Sequence, residues 1–116
     1  MRDSYLITGG AGFIGVNAAD HYLRAGRRVT VLDNFSRAGT EDNLAWLERQ
    51  HRSGLEVIRA DIRSDRAALE RAVESADVVL HLAAQVAVTT SVTDPREDFE
   101  VNALGTVNVL DAVRRS

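Results

Sequence analysis

The chain has no cysteine and no lysine, and its 116 residues include a single proline. Without cysteine, disulfides and thiolate metal sites are excluded. All 14 basic residues are arginine, so this chain cannot complete a mechanism that needs a lysine amine. No apolar run approaches the ~18 residues of a membrane span. Met1 leads directly into a strand pattern without a signal-peptide arrangement, and a cytoplasmic location is the simplest expectation. The two signs of charge nearly balance: the formal net charge is -3, which gives no basis for nucleic acid or an anionic membrane as partner. His21 and His51 have no partner spacing that suggests a metal. The apolar content of 45% is ordinary for a packed core, and the length suits one domain.

The most informative stretch is Ser4-Tyr5-Leu6-Ile7-Thr8-Gly9-Gly10-Ala11-Gly12-Phe13-Ile14-Gly15. A short apolar run breaks into glycines, and an amphipathic segment follows, which is the order strand, tight loop, helix. Glycines at 9, 12 and 15 meet three needs. One turns the chain off the strand, one leaves backbone bare for a pyrophosphate, and one lets the helix pack closely on the sheet. The helix dipole and free amides at such a start attract an anion. Glycines 10, 12 and 15 also satisfy G-x-G-x-x-G, so the motif alone leaves the subfamily open.

Downstream, hydrophobic periodicity alternates between strand and helix. The spacing predicts a helix over 13–25 closed by Gly26, a strand over 28–33, and a helix through Leu44, Trp46 and Leu47 capped by Thr40 or Asp42. A third strand over 55–58 leads to a helix carrying Leu69, Ala72 and Val73, with Ser64 or Asp65 as N-cap. The run 77–82 reads as a strand buried on both faces. The last helix starts at Asp94-Pro95, with Glu97 completing a capping box, and its expected inner face is Phe99, Ala103, Val107, Leu110 and Val113. This β-α-β-α-β-α-β-α pattern predicts a doubly wound parallel sheet of order 3-2-1-4, with a ligand at the carboxyl ends of the strands. Strand four would be an open apolar edge, so the expectation is that residues 1–116 are the first part of a longer protein.

Asp33 ends the second strand 18 residues after Gly15, where an acid is expected to accept hydrogen bonds from an adenosine ribose. A carboxylate there repels a 2′-phosphate and favours NAD over NADP, although Arg37 in the same loop could accommodate one; the alternative is an ordinary turn acid. Asp61-Ile62 follows the third strand, as an adenine-binding pair or as a turn. His81 reads as a packed core histidine, and Asn102 as a tie to neighbouring backbone.

Thr8 to Gly15, Asp33-Asn34, Asp61-Ile62-Arg63, His81-Leu82-Ala83-Ala84 and Asn102 resemble the cofactor-binding half of the extended short-chain dehydrogenase/reductases, the nucleotide-sugar epimerase and dehydratase group. The resemblance covers the whole chain. Segments 33–37 with 42–47, and 85–91 with 98–102, are similar to the CDP-paratose (tyvelose) 2-epimerase branch. The resemblance implies a Rossmann-type NAD-binding domain over residues 1–116, the substrate domain lying elsewhere. It implies that Gly9, Gly12, Phe13 and Ile14 hold the pyrophosphate. Asp33, Asn34, Ser36 and Arg37 would surround the adenosine ribose, and Asp61 and Ile62 the adenine. Leu82, Ala83, Ala84 and Gln85 would line the path to the nicotinamide, and Thr89, Thr90 and Ser91 would approach a nucleotide-sugar substrate. The parent protein is expected to form homo-oligomers. Family catalysis also implies a tyrosine four residues ahead of a lysine. Neither Tyr5 nor Tyr22 has that neighbour, so no catalytic residue is expected within 1–116, and the chain alone is expected to be inactive.

Overall fold

The computed structural model describes residues 3–83 and 93–116. Four parallel strands, β1 (Ser4–Thr8), β2 (Arg28–Asp33), β3 (Leu55–Arg59) and β4 (Val78–His81), form one sheet. The spatial order is β3-β2-β1-β4, as the alternating pattern predicts. Helices α1 (Phe13–Arg24), α2 (Thr40–Gln50) and α3 (Arg66–Glu74) connect successive strands. After β4 come a short helix α4 (Pro95–Phe99), a π-helical segment (Glu100–Leu104) and α5 (Gly105–Arg115). Among the described residues, no helix is long and apolar enough to cross a membrane.

Side-chain alternation along the strands builds a core on each face. Leu6 and Leu32 point to the face covered by α3 and α5, where they meet Ile62, Leu69, Val73 and Val109. Ile7 and Val31 point to the other face, with Val16, Ala19, Leu23 and Leu47 from α1 and α2. Trp46 packs partly buried against that second cluster, so its helix is seated as its spacing predicts. Because all strands are parallel, the loops after β1, β2, β3 and β4 emerge at one end of the sheet, where ligands of doubly wound folds collect.

Three expectations need correction. β4 is half-buried, not buried on both faces, and Val78 is exposed. Among the described residues it pairs only with β1 and forms the sheet edge. The side-chain caps expected on α2 and α3 are absent. Gly39, in the left-handed region at φ 88°, is the N-cap of α2, and the Thr40 hydroxyl donates to Arg37 O instead. Asp65 is the N-cap residue of α3, one of the two expected, but its carboxylate accepts from the Asp61 amide instead of capping the helix. The Asp94 cap is present, accepting from the Glu97 amide ahead of Pro95 at the first turn.

The third correction is the face of the last helix. Val107 and Leu110 are 58% and 62% exposed, and Phe99 and Val113 also lie outside. The buried stripe is Gly105, Asn108, Val109 and Ala112, an i, i+3, i+4, i+7 set. Two physical reasons displace the stripe. The π turns widen the coil and rotate every later side chain relative to an unbroken helix. The seat on β3's following loop also admits little volume, since a Cβ on Gly105 would lie 2.5 Å from Ile62 Cδ1.

Asn108 is polar and buried, and its amide donates to Ile62 O at 2.8 Å and Arg63 O at 3.2 Å. It therefore pins the loop after β3 to α5. Asn108→Leu leaves those carbonyls without a donor, and the expected loss is about 1–3 kcal/mol of unfolding free energy. Denaturant titration measures it, and an unchanged midpoint would contradict this role.

Candidate functional site

β1 ends in Thr8, and the chain turns at Gly9 with φ 67°. The Gly9 amide donates to Leu32 O at 2.8 Å, which fastens the turn to β2. A Cβ on Gly9 would sit 2.7 Å from Ala83 N, so the loop after β4 lies directly against this turn. Gly15 meets a different need from close helix–sheet packing: its added Cβ would strike Gly9 O and Gly10, the loop's own backbone. Gly12 differs again. Its φ of −73° suits any residue, and an added Cβ would meet only Gly9 O at 3.4 Å. Protein packing does not demand glycine there, so its bareness serves the open side of the loop. Helix α1 begins at that point without a side-chain cap and without an acid in its first turn. Phe13 and Ile14 are exposed over it. Backbone amides at such a helix start can receive an anion.

Asp33 couples the glycine loop to the end of β2. One carboxylate oxygen accepts from the Ala11 amide at 3.1 Å and the other from the Phe35 amide at 2.9 Å. Asn43 of α2 donates to Ala11 O at 2.8 Å, so both polar groups of this buried residue are satisfied by side chains. Asn34 bonds the Ser36 amide and reaches Asp61 at 3.4 Å. Asp61 accepts from the Arg63 side chain on both oxygens, at 3.0 and 2.7 Å, and from the Arg63 amide. The Arg63 hydrogen bonds, outweighing partial burial, lower its pKa to about 2. Asp61 is therefore an anion at every ordinary pH, able to accept but not donate.

Thr8 and His81 close the opposite side. The buried Thr8 hydroxyl accepts from the Leu82 and Ala83 amides at 3.1 and 3.3 Å and lies 2.6 Å from His81 Nδ1. Across the ring, His81 Nε2 lies 2.9 Å from Thr106 Oγ1, whose own proton goes to Asn102 O at 2.6 Å. Thr106 must then accept from Nε2–H, which leaves Nδ1 to accept from Thr8. His81 is half-buried with both nitrogens engaged, as expected of a core histidine. His51 is also engaged outside the site, with Asp20 at 2.7 Å, tying the end of α2 to α1.

The glycine loop, Asp33, Asn34, Asp61 and Arg63 open on one cavity of about 710 Å³, with Thr8 and His81 behind its wall. It brings together Gly9, Gly12, Phe13, Ile14, Asp33, Asn34, Ser36, Arg37, Asp61, Ile62, Leu82 and Ala83. Ala84, Gln85, Thr89, Thr90 and Ser91 lie outside the described residues. Sequence reasoning missed Arg63, Thr40, Glu97 and Val101 as lining residues. Arg63 carried a local signal, an arginine two places after an acid at a strand end; Glu97 of α4 and Val101 of the π-helical segment arrive only through tertiary folding. A bare Gly12 backbone and two carboxylates on one cavity are groups that could meet a pyrophosphate and a hydroxylated ribose of a dinucleotide.

The family model described as GDP-mannose 4,6 dehydratase matches residues 6–116. The chain belongs to the GDP-mannose 4,6-dehydratase family. A relative of this chain, CDP-paratose 2-epimerase of Salmonella typhi, is 44% identical over 111 residues, covering 95% of this chain and 32% of the relative. dTDP-glucose 4,6-dehydratase of Mycolicibacterium smegmatis is 38% identical over 112 residues, again 95% of this chain and 32% of the relative. Among solved structures, Thermus thermophilus UDP-glucose 4-epimerase in complex with NAD superposes with a TM-score of 0.79 at 41% identity, over 97% of this chain and 34% of that one. The chain thus spans about a third of the relatives it matches.

In this member of the GDP-mannose 4,6-dehydratase family, burial lowers the His81 pKa below the usual histidine value. The unfolded chain binds a proton on this ring below pH ~6.5, while the folded chain resists it, so the unfolded state carries more protons there. Stability should therefore fall as pH drops from 7 towards the lowered folded value. Urea midpoints measured across that range should show a smaller slope for His81→Gln than for the parent, and equal slopes would contradict the assignment.

Proposed function

We propose that this chain is the NAD-binding portion of a nucleotide-sugar epimerase that works through a transient keto-sugar and reversible hydride transfer. The observation that carries the reading is the Asp33 carboxylate bound to the Ala11 amide of the glycine loop. It sets a ribose acceptor one step from the anion cradle, within a single cavity. The solved relative with NAD and the 44% identity to a CDP-paratose 2-epimerase support it.

In this reading the α1 amides near Phe13 and Ile14 and the bare backbone at Gly12 hold the pyrophosphate. Asp33 accepts from the adenosine ribose, with Asn34, Ser36 and Arg37 around it. Asp61, fixed as an anion by Arg63, accepts from the adenine amino group, and Ile62 flanks the ring. Leu82 and Ala83, continuing to Ala84 and Gln85, line the way to the nicotinamide, with Thr89, Thr90 and Ser91 nearer the sugar. NAD, when bound, supplies a hydride acceptor that can also return the hydride. The proton-transfer tyrosine and lysine belong to the rest of the parent, since this chain contains no lysine. The parent's partners are then a nucleotide sugar and a second copy of itself.

A 4,6-dehydratase or decarboxylase on the same scaffold is the second reading, favoured by the 38% identity to dTDP-glucose 4,6-dehydratase. A non-catalytic NAD-binding module is the third, favoured by the missing lysine.

Asp33→Ala in the complete protein should weaken NAD binding by about 10- to 100-fold, the worth of hydrogen bonds to a charged acceptor, and narrow the preference over NADP. Titration with both cofactors measures it, and curves equal to the parent's would sink the ribose assignment. Purified 1–116 material, assayed with nucleotide sugars and NAD, should show no epimerisation. Turnover by that material would refute the division of labour.

A further inference from the structure

Phe35 is the one non-glycine residue with a positive φ among the described residues, at 57°. Phenylalanine gains nothing in this region that glycine or asparagine would not gain at lower steric cost. A left-handed Phe persists only where its surroundings over-determine it, and such positions cluster at ligand sites. Here the surroundings are identifiable. The Phe35 amide is held by Asp33 and the next amide by Asn34. The ring packs partly buried against the α1 and α2 side of the core. Above it lies the Arg59 guanidinium, its central carbon 4.2 Å from the ring centroid.

Arg59 is itself placed by three constraints. It ends β3 directly opposite Asp33 in the β2–β3 register. The next amide, Ala60, donates to Asp33 O at 3.1 Å. Its guanidinium donates in a fork to both oxygens of Glu41, at 2.6 and 3.0 Å, and Glu41 lies in the first turn of α2. A planar guanidinium gripped at its edge by a carboxylate presents its face to a ring, which lysine could not reproduce. Strand β3, helix α2 and the loop after β2 are therefore joined at Phe35, and the same turn carries Asp33.

We propose that Arg59 is a positioning residue for cofactor selection: clasped by Glu41, it presses on Phe35, keeps the left-handed turn, and so holds the Asp33 carboxylate towards the ribose. The proposal rests on the reading that Asp33 receives the adenosine ribose. Arg59 does not line the cavity and acts on ligand only through the turn. Without it, Phe35 relaxes towards an ordinary backbone conformation, the Phe35 amide leaves Asp33, and the carboxylate loses one of its two anchors.

The test uses the complete protein, stripped of nucleotide and titrated with NAD and with NADP, with thermal melting recorded beside each titration. Arg59→Ala should weaken NAD binding by about fivefold, the scale of an exposed cation–π contact carried through to affinity. NADP binding should change less, and the melting temperature should stay near the parent's. Phe35→Asn favours the left-handed turn without help, so Arg59→Ala added to Phe35→Asn should cost no further NAD affinity. A merely structural Arg59 would weaken both cofactors in step with the melting temperature, or would add its full cost to Phe35→Asn; either result overturns the proposal. Unchanged NAD affinity in Arg59→Ala, with Asp33→Ala weakened, overturns the proposal and leaves the ribose reading intact. Unchanged affinity in Asp33→Ala removes that reading and the proposal together.

Discussion

At Gly9 two backbones approach so closely that no side chain fits between them. The turn after β1 rests against Leu82 and Ala83 after β4, and the Thr8 hydroxyl takes the amides of the same two residues. Everything at the ligand end of the sheet follows from that contact. It fixes where β4 hands over to the following loop, and His81 then carries the link through Thr106 to the helical segment behind. On the other side, the same glycine loop is tied to β2 through Gly9 N and Leu32 O, and through Ala11 and Asp33. A loop with few side chains is tied to both flanks here through the backbone polar groups of Gly9 and Ala11.

The energetic pattern separates scaffold from site. The two core clusters are built from Leu, Ile, Val and Ala and are buried on either face of the sheet. Polar groups gather at the carboxyl ends, and no buried side-chain polar atom among the described residues lacks a partner. Asp33 and Asp61 differ in how they are matched. Asp61 spends both oxygens on Arg63, so its charge is neutralised locally and serves as an oriented acceptor. Asp33 is held by two neutral backbone amides, which aim the carboxylate without neutralising it. An uncompensated anion suits neutral hydroxyls and opposes a phosphate.

Much of this was legible in the sequence because it is local. The glycine spacing, the acid at the end of β2, the Asp94-Pro95 helix start and the strand–helix alternation each depend on residues within a few positions of one another. They led to the observed sheet order, and the resemblance to the extended short-chain dehydrogenase/reductases that they carry implied the twelve described residues that share one cavity. The errors arose where distant contacts overrode local signals. Thr40 and Asp42 have the chemistry of caps, yet Gly39 takes the N-cap of α2, while Asp65 keeps the N-cap position of α3 but turns its carboxylate to the Asp61 amide. The larger apolar residues of the last helix suggested Val107 and Leu110 as its core face. Ile62 leaves room only for Gly105, and the buried carbonyls after β3 call for a donor, so Asn108 faces inward instead. Asn108, beyond the π turns that no periodicity announces, pins the loop after β3 by donating to Ile62 O and Arg63 O.

The central claim is that the glycine cradle and Asp33 together receive NAD, phosphates on the α1 amides and ribose on the carboxylate. A crystal structure of the complete protein with NAD tests it most directly. The account predicts pyrophosphate oxygens within hydrogen-bond distance of the amides at the start of α1, and the adenosine ribose hydroxyls on Asp33. A cofactor bound with its pyrophosphate away from that helix start, or with no contact between ribose and Asp33, would contradict it.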